Sequence, residues 1–203
     1  MYLDSIIDSL DTIENLRSVD LENNFLERTN KHIDRVIQNA KIIAASYSDL
    51  ISVYVNVIKH DESKFIPPEK TPYIWLTEHD RCKDKGLGFI YPVHMEEQTK
   101  QATLHHITNN PHHPEYWDPD KKDMKLAEDR NASNQPQITN AVAMHDVYIA
   151  EMVADWAAMS QEKNNSLKEW ADNNVNVRWE FNDYQVTLIY KLINLFENKG
   201  KVK

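Results

Sequence analysis

Apolar residues recur along this chain at the three-and-four spacing of helix faces almost from end to end. Leu3, Ile6, Ile7, Leu10, Ile13 and Leu16 fall nearly on one stripe and predict a short amphipathic helix over residues 3–17. A longer helix is predicted from Leu21 to Ala45, with Phe25, Leu26, Thr29, Ile33, Val36, Ile37 and Ala40 on its apolar face. His32 lies on that face, three residues after Thr29 and four before Val36, so its ring should point inward. The stretch from Tyr47 to Lys59 fits two templates. Ile51, Val53, Val55 and Val57 alternate like a strand, whereas Tyr47, Leu50, Ile51, Tyr54, Val55 and Ile58 fill a helical stripe. The fuller match, in an otherwise helical chain, decides for a helix that ends at His60-Asp61.

Pro67, Pro68 and Pro72 punctuate the next stretch, which predicts a short helix and then a loop through Gly86 to Tyr91. Pro92 can open a helix running to Thr108. Three prolines between Asn109 and Pro119 predict an ordered irregular loop, and the polar run Asp120 to Gln137 a surface segment or lid. Further helices are expected over Ile138–Gln161, around Trp170, and over Phe181–Glu197, the last burying Tyr184, Leu188, Ile189, Leu192, Ile193 and Phe196. Glycine supports this reading: Gly86, Gly88 and Gly200 are the chain's 3 glycines, too few for many tight hairpins. No internal repeat or linker interrupts residues 1–203, so the expected fold is a single all-α domain. Residues 1–20 form its N-terminal helix and 109–137 its loop or lid region.

Composition narrows the chemistry. Without a glycine-rich loop there is no dinucleotide or phosphate-loop fingerprint. A net charge of −9 argues against broad binding to a nucleic-acid backbone, which needs clustered Lys and Arg, but leaves room for a small anionic substrate. Cys82 is the one cysteine, so neither a disulfide framework nor a thiolate metal cage is available. No signal peptide opens the chain and no apolar run reaches membrane-span length, which predicts a cytoplasmic protein, or one made in a host cytoplasm. The sequence leaves a homo-oligomer open.

The candidate chemistry is a divided set of imidazoles and carboxylates. His32 faces inward, His60-Asp61 ends the next helix, and the run LHHITNNPHHPEYW supplies His105, His106, His112 and His113. Asp155 falls on the stripe Met144, Tyr148, Glu151, Met152, Asp155 and Met159. A buried carboxylate costs several kcal/mol unless it is paired, hydrogen-bonded or bound to metal, and Glu151 and Asp155 one turn apart repel unless a cation or proton lies between them. Pairing with an arginine or capping of a neighbouring helix would satisfy Asp155 equally well. His105 and His106 are adjacent on a helix and point to different sides, so only one of them should reach a metal. Such nitrogen and oxygen donors suit one or two divalent ions, among Mn, Mg, Co, Ni, Zn and Fe.

The order His32, His60-Asp61, Asp155 resembles the HD-domain superfamily of metal-dependent phosphohydrolases. HDESKF, HHITNNPHHPEYW and EMVADWAAMS further resemble a group of uncharacterised bacterial and phage proteins near that superfamily. The resemblance covers most of the chain from residue 25 onward. It implies a helical HD-like bundle holding one metal on His32, His60, Asp61 and Asp155, with a second on loop histidines in some members. It also implies hydrolysis of a nucleotide or other small phosphorylated metabolite. Nucleotide-cleaving relatives often carry a carboxylate three residues after the doublet. Lys64 stands there instead, where it can neutralise phosphate charge or form a surface ion pair, and Glu115 and Glu151 become the candidate general bases. Two alternatives keep the site and change its use: a di-iron oxygenase, and a metal-stabilised protein that sequesters a nucleotide without turnover. Tyr116, Trp117 and Trp75 can stack a base or pack in the core.

Overall fold

The computed structural model describes the backbone of residues 2–124 and 138–197, and the side chains of 18–124 and 138–197. The fold is all-α: the described residues hold α1 (Tyr2–Ser46), α2 (Val53–Asn56), α3 (Lys70–Asp84), α4 (Met95–Asn109), α5 (Asp146–Lys163), α6 (Leu167–Asp172) and α7 (Asp183–Glu197). Two short strands, β1 (Thr139–Asn140) and β2 (Trp179–Glu180), pair in parallel with Thr139 opposite Trp179. Contacts gather into two compact units, Met1–Lys31 with Ser63–Ala102, and His32–Glu62 with Thr103–Lys203.

The first unit takes the early part of α1, all of α3 and the opening turns of α4. Phe25 meets Phe65 with ring centroids 5.8 Å apart, and Lys70 reaches Glu22 at 2.6 Å. Pro72 sits in the first turn of α3, where a missing N–H costs no helical hydrogen bond. Gly86 ends that helix at φ +65°, with its N–H donating to Lys83 O and that of Leu87 to Cys82 O, which satisfies carbonyls the helix leaves open. The helix expected here as short is therefore fifteen residues long.

In the second unit α5 is the central element. Ala150, Ala154, Ala157 and Ala158 are buried along it, and these small side chains let α7 pack closely with Leu188, Ile189, Leu192 and Ile193. Trp156 stacks on Trp179 at 5.4 Å, tying α5 to β2. Ser166 caps α6 by accepting from the Glu169 N–H, as a serine before a helix is placed to do.

Four expectations are corrected. The helices expected over 3–17 and 21–45 are one continuous α1, because nothing in Ser18-Val19-Asp20 breaks a helix; the side chains of the 3–17 stripe lie outside the described residues. The stretch from Tyr47 to Lys59 is a broken series of short helical turns, and its buried face is Leu50, Val53 and Val57. Ile51, Tyr54, Val55 and Ile58 are exposed, so the stripe is rotated by one position from the one the sequence favours. The helix expected from Ile138 begins only at Asp146, since Thr139 and Asn140 are taken by the strand pair. Tyr184 on α7 is exposed and donates to Asp146 at 2.5 Å instead of joining the core. The lid expectation over 120–137 falls mostly on residues outside those described. No helix among the described residues is long and apolar enough to cross a membrane.

Candidate metal centre

Four segments of the second unit bring their polar side chains to one buried place. His32 comes from α1, His60 and Asp61 from the end of the turns after it, His106 from the last turns of α4, and His112 and His113 from the loop behind that helix. Glu151 and Asp155 come from one face of α5. His60, Asp61, His106, His112 and Glu151 are all buried, against the strong preference of such groups for water. Asp61 adopts φ 60°, a left-handed conformation that Asp tolerates better than most residues and that turns the chain at the cluster.

Asp61 stands between two sets of imidazoles. Its Oδ2 lies 3.7 Å from His32 Nε2 and 3.8 Å from His60 Nε2, while its Oδ1 lies 3.1 Å from His106 Nε2 and 3.7 Å from His112 Nε2. Asp155 Oδ1 is 3.1 Å from His32 Nε2. Donor atoms of His32, His60 and Asp155 lie within 4.8 Å of one another, as do those of His60, Asp61 and His112, and those of His106, His112 and His113. That spacing is close to twice a metal–ligand bond of roughly 2.1 Å.

The protonation chemistry fits a cation. Burial opposes charge on His60, but Asp61, the Glu151 hydrogen bond and Asp155 outweigh it and hold its pKa above the ordinary imidazole value. Burial and the neighbouring His60 push His112 well below that value, leaving a neutral ring with a lone pair to give. Burial works to raise Asp155, yet His32, His60 and His112 overcome it and keep the carboxyl far below its usual range. Nε2 of His60 and Nε2 of His112 are buried and, among the described residues, make no hydrogen bond. Orphaned nitrogens of this kind cost free energy that a bound cation would recover. Mixed imidazole and carboxylate donors suit Mn, Fe, Co, Ni or Zn better than Mg. His32, His60, Asp61 and Asp155 could hold one ion, and Asp61 with His106, His112 and His113 a second.

The remaining sequence candidates make other contacts. His105 is exposed, one residue and about 100° round α4 from the buried His106. Asn110, which the sequence reading missed, donates from its amide to the His106 carbonyl at 2.8 Å, with the same nitrogen 3.1 Å from His106 Nδ1; its position four residues on, past the helix end, was the available signal. Glu115 accepts from Trp179 Nε1 at 2.9 Å and lies 3.6 Å from Arg178, so it ties the histidine loop to β2. Lys64 belongs to the first unit, where its ammonium lies 5.1 Å from the centre of the Tyr73 ring. Glu151 faces the Nδ1 atoms of His60 and His112. Trp117 donates to Pro111 O and packs against the core, a structural use of that aromatic.

Comparison with curated proteins and with solved structures returns no match. The model of a family of unknown function (DUF5662) matches residues 21–195, and the chain belongs to that family.

Proposed function

We propose that this family member is a metal-dependent phosphohydrolase of HD type, acting on a nucleotide or another small phosphorylated metabolite. The observation that carries the reading is the convergence of His32, His60, His106 and His112 on the two oxygens of Asp61, with Nε2 of His60 and of His112 making no hydrogen bond among the described residues. His32, His60, Asp61 and Asp155 would hold the ion, and the histidines on the other side of Asp61 a second. A divalent ion bound there lowers the pKa of water and polarises a phosphoryl oxygen. Among His32, His60, Asp61 and Asp155, the last is the most exposed, its side chain 15% accessible against 1% for Asp61, so substrate approaches from its side. Asp155, whose Oδ1 lies 3.1 Å from His32 Nε2, then orients the attacking water. His113, half-buried beside His112, is the imidazole placed to meet phosphate charge.

A second reading, a di-iron oxygenase, draws on the same excess of histidines around Asp61. Elemental analysis of protein purified without chelator, beside a His60→Ala, Asp61→Ala double variant, separates the cases. The hydrolase predicts stoichiometric divalent metal, lost in the variant together with phosphate release from a nucleotide panel. Bound iron with oxygen uptake selects the oxygenase. Wild-type protein that takes up no metal after soaking overturns both.

A further inference from the structure

Glu151 is a buried carboxylate with an unusual neighbourhood. Its Oε1 lies 3.0 Å from Nδ1 of His60 and 3.6 Å from Nδ1 of His112, and its side chain is 5% exposed. Those two rings are 4.2 Å apart and tilted by 43°, so one oxygen sits behind both. Nε2 of each ring points away from Glu151 toward Asp61. A carboxylate accepts and does not donate when ionised. The proton it attracts on His60 is therefore the Nδ1 proton, in a true hydrogen bond. At 3.6 Å the contact with His112 is longer than a hydrogen bond, yet the charge still favours a proton on the nitrogen that faces it. A neutral imidazole with hydrogen on Nδ1 has its lone pair on Nε2. His32 offers the contrast: among the described residues its buried Nδ1 has no hydrogen-bond partner.

We infer that Glu151 is a positioning residue that sets the tautomer of His60 and of His112 together, presenting both Nε2 lone pairs inward before any ion arrives. This deepens the metal-centre reading and replaces the general-base role that the sequence suggests for Glu151. Because the two neighbouring rings face different oxygens of Asp61, one residue prepares donors for both. Carboxylates behind ligating histidines commonly act this way, and removing them typically costs about 10–100-fold in metal affinity.

The test is nitrogen NMR of the histidine side chains in chelator-treated, full-length protein at alkaline pH, where the imidazoles are neutral. His60 and His112 should both carry hydrogen on Nδ1. In Glu151→Leu, which keeps the volume and removes the acceptor, both should shift toward the Nε2–H form that free histidine prefers, with His32 unchanged. Glu151→Gln keeps an acceptor oxygen and should retain the Nδ1–H form at His60. Titration with Zn²⁺ alone should show the affinity of Glu151→Leu reduced by about 10–100-fold. Wild-type His60 bearing hydrogen on Nε2, or tautomers unmoved by Glu151→Leu, would overturn the assignment. The wild-type spectrum decides even where a variant folds poorly. Wild-type protein with the expected tautomers but no affinity for any divalent ion would defeat the hydrolase reading and leave the role of Glu151 standing.

Discussion

The neighbouring histidines of α4 separate by burial alone. His106 is buried against Asp61 and His105 is exposed, so the two alanine variants should behave oppositely. His106→Ala should weaken divalent-metal binding by at least tenfold in calorimetric titration, on the order of 1.4 kcal/mol, and His105→Ala should leave it unchanged. His60 also carries a pH signature. Its folded pKa is raised above 6.5, so in metal-free protein its stabilising charge is fully present below that pH and fades as pH rises through the folded value. Metal requires the neutral ring, so affinity should climb over the same interval. A chelated sample whose denaturation midpoint rises with pH there would contradict the assignment. At this scale much was legible: His32 and Asp155 announced themselves as polar residues on apolar stripes, and the His-Asp doublet by its neighbours. The posts held by Glu151 and Glu115 were not legible. A carboxylate's partner is chosen by tertiary contact, and neither the Nδ1 pair behind Glu151 nor Trp179 and Arg178 beside Glu115 lies within a helix turn of it in sequence.

Elements were legible in kind and less so in their limits. The long periodic helices α1, α5 and α7 follow from their stripes, because one apolar face repeated over several turns has few other ways to be buried. The segment from Tyr47 to Lys59 shows where periodicity stops deciding. Leu50, Val53 and Val57 form a helical stripe as acceptable as the one favoured, and the choice between them belongs to the facing core of α5 and α7. One substitution, Ile58→Ala, distinguishes the registers in chemical denaturation, read against Leu50, which both registers bury. Leu50→Ala should cost about 2–5 kcal/mol, as buried leucines do, whereas Ile58→Ala, at a residue 64% exposed, should stay within about 0.5 kcal/mol. Similar losses at both positions would put Ile58 in the core. Ser166→Ala, which removes the cap of α6, should cost about 1 kcal/mol.

For the molecule as a whole, the donor set joins stretches near residues 32, 60, 106–113 and 151–155, so a bound ion links distant parts of the second unit. An ion that binds only the folded state at a hundred times its dissociation constant adds about 2.7 kcal/mol. For a chain of this length that is roughly 5–10 °C in the unfolding temperature. Calorimetry with and without chelator measures it directly, and an unchanged midpoint would argue that the cluster is plain packing. Asp118 holds a comparable position in the backbone. Its two oxygens accept from the N–H groups of Asp120 and of Asn140, at 2.8 and 2.7 Å, and Asn140 is fixed in turn by the strand pair with β2. The polypeptide on either side of residues 125–137 is thus clasped by contacts among the described residues. A protease site engineered into that interval should therefore yield two fragments that stay together through gel filtration and keep whatever metal the intact chain holds.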